Sequence, residues 1–192
     1  MGPIIIITGT PGVGKTTVSK LLAIHLKAKH VDLSELAVRE QLLLGWDEER
    51  KTSVADIERL RTRLYEIASA SEQSLILDSH YASSIVPYGE ASSVFVLRKD
   101  PSRLKEELES RGYDMKKVRE NVAAEILDVC LSEAVETYGE DKISEVDVTD
   151  MKPEGVAELL LKIIHSCKPT GLSHIDWLSK PEAEKLLEDL PW

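Results

Sequence analysis

The strongest chemical signal in the chain is the stretch Gly9-Thr-Pro-Gly-Val-Gly-Lys-Thr16, followed by Thr17. Glycines let a backbone wrap closely around a polyphosphate with its N–H groups turned inward, and the N-terminus of a following helix adds positive potential. In that setting Gly12 and Gly14 remove side chains that would block the approach. Lys15 reaches toward β- and γ-phosphates, and the Thr16 hydroxyl is placed for Mg2+. The match to GxxxxGK[ST] is ungapped, with an isoleucine run before it and a helical pattern after it. That context separates it from a chance glycine turn.

Four further positions have types and places that suit phosphate chemistry. Asp78 ends the apolar run Leu75-Ile-Leu77, at the strand edge where open α/β folds place ligands. There it would hold the water shell of Mg2+; the alternative is a turn-forming residue after the strand. His80 follows two residues later, on the same side of an extended chain. His25, His30, His165 and His174 lack such a context and read as satisfied core or surface histidines. Arg111 precedes Gly112-Tyr113, where a cation also favours a helix C-terminus. Arg119, Lys116 and Lys117 nearby read as solvated. Arg39 is the only arginine in the first half of Ser34–Ser53, so it is a candidate for an acceptor phosphate and equally for a solvated face.

These residues need a frame, and periodicity supplies one. Pro3–Thr8 reads as a strand buried on both faces of a parallel sheet. Lys15 to about Lys27 reads as a helix with Val18, Leu21, Leu22 and Leu26 on one face, and His30–Leu33 as a second short strand. Ser34–Ser53 is loose and charged, as expected of a small lobe outside the sheet. Ile57, Leu60, Leu64, Ile67, Ala68 and Ser71 trace a helical stripe. Leu75–Leu77 and Ser93–Leu97 are strands. Asp100-Pro101 opens a helix that Gly112 stops. Val118 to Ala134 marks one long helix, Ile143–Val148 an edge strand, and Pro153 to about His165 a closing helix. Strands alternating with helices predict βαβ units and a doubly wound parallel sheet. The segment from Lys168 to Trp192 is broken by Pro169, Gly171, Pro181 and Pro191, with Ser179-Lys-Pro-Glu182 suited to cap a short final helix. Its Trp177 and Trp192 are expected to pack back on the core.

Composition narrows the class. At 192 residues the chain suits one α/β domain, and with 42% hydrophobic but only 5% aromatic residues its core rests on Leu, Ile, Val and Ala. No apolar run approaches the ~20 residues of a membrane span. Met1–Thr8 lacks the basic flank of a signal peptide, so a cytoplasmic protein is expected. Cys130 and Cys167 lie far apart without metal-site spacing, which predicts two buried thiols rather than a disulfide or zinc site. A formal charge of −10 disfavours bulk attraction to nucleic acid. The single asparagine, Asn121, precedes Val122, which excludes the Asn-Lys-x-Asp guanine reader of Ras-like GTPases.

GTPGVGKTT, DSH at a strand end, VLRKDPSRLKEELESRGYDMKKVREN and EILDVCLSEAVETY together resemble the adenylate-kinase-like nuclear ATPase family, also called adenylate kinase isoenzyme six or coilin-interacting nuclear ATPase protein, in an archaeal-type form. The resemblance covers roughly Ile4 to Cys167. The family's acidic cluster after the monophosphate lobe is matched only loosely, by Val54-Ala-Asp-Ile-Glu-Arg59. The resemblance implies a three-layer P-loop fold of adenylate kinase type, Mg2+-dependent phosphoryl transfer from ATP to AMP, ATPase activity, and a role in small ribosomal subunit maturation. It makes Arg111 the lid arginine over the transferring phosphate and gives His80 a place at the acceptor side, orienting a water or phosphate. It divides the chain into a kinase core (1–167), with a monophosphate lobe near 34–56 and a lid near 110–120, and a tail (168–192). The acidic balance and the ribosomal role together imply a basic small-subunit ribosomal protein as partner. Two rivals stand beside this reading: an ATP-driven assembly factor with little kinase activity, and a small-molecule kinase with another acceptor.

Overall fold

The computed structural model describes residues 2–48, 52–70, 72–173 and 175–188. The expected roles of Ser71, His174 and Trp192 therefore lie outside the described residues. The first half of the chain runs β1 (Ile4–Thr8), α1 (Lys15–Leu26), β2 (Lys29–Asp32), α2 (Leu33–Arg39), β3 (Leu43–Asp47), β4 (Thr52–Ala55), α3 (Ile57–Ser69) and β5 (Leu75–Asp78). The second half runs β6 (Ala91–Arg98), α4 (Pro101–Ser110), α5 (Met115–Ile126), α6 (Val129–Tyr138), β7 (Ile143–Asp147), α7 (Pro153–Ser166) and α8 (Pro181–Glu188).

The isoleucine run explains the architecture. All of β1 is buried, and successive side chains of a strand point to opposite faces, so it needs a helical layer on each side. Ile4 and Ile6 join Leu60 and Leu64 of α3 and Ala134 and Tyr138 of α6. Ile5 and Ile7 join Leu22 of α1, Leu104 and Leu108 of α4, Val118 of α5 and Leu160 of α7. Between the layers runs a five-stranded parallel sheet in the order β2-β5-β1-β6-β7. The three-layer α/β P-loop fold expected from the sequence is the observed one.

Several local expectations need correction. The second strand ends at Asp32, because its carboxylate caps α2 by accepting from the N–H groups of Ser34 and Glu35 at 2.9 and 3.0 Å. The loose Ser34–Ser53 lobe contains the rest of α2 and most of an antiparallel hairpin, β3–β4. The single long helix Val118–Ala134 is two helices, α5 and α6. Asp128 breaks it by adopting a left-handed backbone (φ 55°), and its carboxylate pairs with Arg98 rather than with a neighbouring turn. The edge strand β7 is buried on both sides over Ile143–Val146, since the tail covers it: Gly171 pairs with Ile143 and Glu145 through backbone hydrogen bonds of 3.1 Å each. Cys130 is half-buried and Cys167 is exposed, so the two thiols are not both core residues. Trp177 does pack inward, at 3% exposure.

β1 carries the phosphate loop, so its packing sets the stability of the site. Ile6 is fully buried in the centre of the sheet. Ile6→Ala is expected to lower unfolding free energy by about 2–5 kcal/mol through lost burial and a residual cavity, with an unchanged denaturant slope. Urea unfolding followed by circular dichroism measures it; a loss below about 1 kcal/mol would contradict the packing described.

Candidate active site

The chain turns sharply at the carboxyl end of β1. Gly9 (φ 134°), Gly12 (φ 102°) and Gly14 (φ 102°) hold backbone conformations that L side chains rarely adopt. Gly14 is the N-cap of α1, and a Cβ there would meet nothing within 4 Å, which agrees with a loop open to a ligand on that side. Gly12 differs from expectation. A Cβ at Gly12 would stand 2.8 Å from both Leu104 and Leu108, so its missing side chain makes room for α4 rather than for phosphate.

A cleft of about 300 Å3 opens over this turn. Gly12, Gly14, Lys15, Thr16 and Thr17 wall it from the loop; Asp78, Ser79 and His80 come from the end of β5, and Arg111 from the turn after α4. Thus the four residues expected to act chemically, Lys15, Asp78, His80 and Arg111, meet at one place. Arg39 does not join them. It ends α2 with its side chain exposed, 3.5 Å from Glu40, and lines no part of the cleft. Lys116, Lys117 and Arg119 also stay off the cleft wall and are half-buried rather than fully solvated.

Lys15 is nearly buried, and its Nζ donates to the carbonyls of Gly9 and Thr10 at 2.8 and 3.1 Å. Burial lowers its pKa, opposed chiefly by the Asp78 carboxylate. The ammonium is therefore tied to the loop that it serves. Asp78 is 2% exposed, and its Oδ2 has no hydrogen-bond partner. The His30 Nε2 atom lies 3.8 Å away and is itself without a hydrogen bond, so His30 is not the satisfied histidine expected. A buried carboxylate oxygen left unpaired, at a cleft that Thr16 also lines, is a fitting donor set for a hard cation such as Mg2+, which takes oxygen ligands and keeps several waters. Thr16 and Asp78 thus fit the ion.

The loop after Asp78 is pinned from two helices. Arg61 of α3 donates to the carbonyls of Ser84 and Ile85 at 2.7 and 3.2 Å, and the Tyr138 hydroxyl of α6 donates to Val86 O at 2.8 Å. His80 is set in this pinned segment, edge-on to Tyr81 at 4.7 Å between ring centroids. Surrounding protein and the Lys15 charge push its pKa down to about 4, although the ring is wetted from the cleft. His80 is consequently a neutral imidazole at physiological pH.

Asp32 and Ser34 line the cleft although no role there was expected of them. Asp32 lies beside Asp78 in register on the neighbouring strand, and Ser34 follows it. Their signal was present: Asp32-Leu-Ser-Glu35 ends a strand and starts a helix, as Asp78 ends one. A second groove, about 570 Å3, lies between α2, the β3–β4 hairpin and Tyr81, with Val38, Leu43, Trp46 and Val54 on its walls. Ser34 and His80 line both cavities, so the two adjoin there.

Comparison with known proteins agrees with this geometry. Residues 5–128 match the family model described as AAA domain. A protein of Methanocaldococcus jannaschii named "Putative adenylate kinase" is 40% identical over 177 residues, covering 92% of this chain and 93% of its own. One of the same name from Saccharolobus islandicus is 39% identical over 188 residues, covering 97% and 94%. Among solved structures, shikimate kinase from Acinetobacter baumannii in complex with shikimate aligns with a TM-score of 0.58 at 17% identity, covering 86% of this chain and 94% of that one. At that identity the likeness shows the fold alone.

The lowered pKa of His80 sets a pH dependence. The unfolded state binds its proton near the ordinary value of 6.5 and the folded state only near 4, so unfolding takes up a proton between those values. His80 therefore leaves stability untouched above 6.5 and removes some of it as pH falls toward 4. Imidazole NMR titration is expected to place its midpoint well below 6.5, and His80→Gln to lose less stability than wild type over that window. A midpoint at or above 6.5 would contradict the site's description.

Proposed function

The chain belongs to the family that the archaeal "Putative adenylate kinase" proteins form, and from that premise we propose that it transfers the γ-phosphoryl group of Mg-ATP to AMP, giving two ADP. The observation that carries the reading is the meeting of the two cavities at Ser34 and His80. A phosphate-loop cleft that opens into a partly apolar groove has room for a donor triphosphate and an acceptor nucleotide facing each other.

In this reading the acceptor's phosphate oxygen forms a bond to the γ-phosphorus as the bond to the ADP oxygen breaks. Positioning and charge stabilisation do most of the work in such transfers. The amides of Gly12 to Thr16 and the Lys15 ammonium hold the donor phosphates. Thr16, by its hydroxyl, and Asp78, through water, would hold Mg2+, which when bound neutralises charge on the β- and γ-oxygens. The neutral His80 ring orients the acceptor phosphate by hydrogen bonding rather than by charge. Arg111 rests on Glu107, half-exposed at the cleft edge, and acts as the lid cation by leaving that partner for the transferring phosphoryl group. The lid is then the short turn after α4 with the start of α5, and the monophosphate lobe is α2 with the hairpin. Hydrolysis of ATP is the same displacement with water as acceptor.

A second reading, an ATP-driven assembly factor, draws on the exposed Leu44, Trp46 and Val54 of the hairpin and on the charge of −10. Such a surface suits a basic protein, for example of the small ribosomal subunit. The acceptor decides between the two. ADP formation from Mg-ATP is expected to rise at least tenfold on adding AMP, and Lys15→Ala to reduce it by about 10²-fold or more in a folded protein. ADP formation indifferent to AMP would leave the assembly-factor reading in its place.

Arg111 acts in the reacting state, so its loss should register in turnover. Arg111→Ala is expected to lower kcat by about tenfold or more while weakening ATP binding less than about threefold. Steady-state kinetics beside an ATP titration measure both. A loss confined to affinity would make Arg111 a ground-state contact.

A further inference from the structure

Beneath the phosphate loop lies a buried polar hub that the transfer reaction above does not use. Its centre is Glu125 on α5, 2% exposed and outside the cleft wall. Glu125 Oε2 accepts from the Thr10 hydroxyl of the loop at 2.5 Å. Its Oε1 accepts from Arg98 Nε at 2.8 Å, from the Lys99 N–H at 3.1 Å, and from the indole N–H of Trp177 in the tail at 3.1 Å. We propose that Glu125 and Trp177 are positioning residues for the phosphate loop, through which the C-terminal tail helps to set the loop's grip on nucleotide. The inference rests on the nucleotide-binding reading of that loop.

The geometry leaves little slack. Thr10 is fully buried, and its carbonyl, with that of Gly9, receives the Lys15 ammonium. Turning Thr10 therefore moves the anchor of the lysine that faces the cleft. A buried carboxylate keeps its place only while its donors stay in place, because leaving it short of partners is costly. The tail supplies one of those donors, and it is fastened beside the hub: Ser173 donates through its N–H to Glu145 Oε2 and through its hydroxyl to Glu145 O, each at 2.8 Å. Glu145 in turn accepts from Arg98 Nη1 at 2.7 Å, which closes the circuit. Thr10 and Trp177 have no hydrogen bond to each other among the described residues; their link runs through Glu125.

The test is a double-mutant cycle read by calorimetric titration with ADP, which needs no turnover. Trp177→Phe keeps a ring and deletes the N–H; Thr10→Val keeps the shape and deletes the hydroxyl; Thr10→Ser restores it. Trp177→Phe is expected to weaken ADP binding about fivefold, Thr10→Val about tenfold, and Thr10→Ser less than about twofold. The double variant should fall within about twofold of Thr10→Val alone, since both changes act on one carboxylate. A merely structural role would lower the unfolding temperature and leave affinity unchanged well below it. Unchanged ADP affinity in folded Trp177→Phe would overturn the proposal, as would losses that multiply in the double variant. If Thr10→Val does not fold, the Trp177→Phe titration decides by itself. No ADP binding by the wild-type protein would remove the nucleotide reading, and this inference with it.

Discussion

A loop of backbone amides binds a polyanion well only if the amides already point the right way, because reorganising them on binding would consume the interaction. The rest of this structure serves that constraint. β1 is buried on both faces and delivers the loop from the middle of the sheet. Gly12 lets Leu104 and Leu108 press against the loop from α4, where any side chain would collide. Thr10 fastens the loop to Glu125, and Lys15 fastens it to itself. Each contact fixes a different residue of the turn.

The hub under the loop is an unusual use of charge. Arg98 is 1% exposed and meets carboxylates of Glu125, Asp128 and Glu145. Taking such groups out of water costs several kcal/mol per ion, so a buried cluster of this kind contributes little net stability. What it supplies is geometry, since each partner fixes the others through directional bonds. Besides the guanidinium, the Glu125 carboxylate accepts from the indole N–H of Trp177, the Lys99 amide and the Thr10 hydroxyl, so that its position is fixed from four directions.

The sequence revealed what is local and hid what is not. The phosphate loop announces itself because its glycines, lysine and threonine fall within one short stretch, and Asp78 because it ends an apolar strand at the sheet edge where α/β folds place ligands. The layered fold follows from strands too apolar to face water. The hub was invisible: Arg98 lies 27 residues from Glu125 and 47 from Glu145, with no periodicity joining them. The α5–α6 break was hidden for the same reason, since Asp128 leaves the helix for a tertiary partner. Gly12 shows a subtler miss, in which the motif was right and the physical reason for the glycine was different. Asp32 was legible as a helix cap but not as a cleft residue, because its neighbour Asp78 comes from a strand far along the sequence.

Donor and acceptor share one chemistry in the function drawn here, and the fate of the transferred group separates it from every rival. The direct measurement is to supply ATP labelled in its γ-phosphate together with unlabelled AMP and Mg2+, and to identify the labelled product within a single turnover. The account predicts label in the β-position of newly formed ADP. Label released only as inorganic phosphate, at a rate indifferent to AMP, would contradict it.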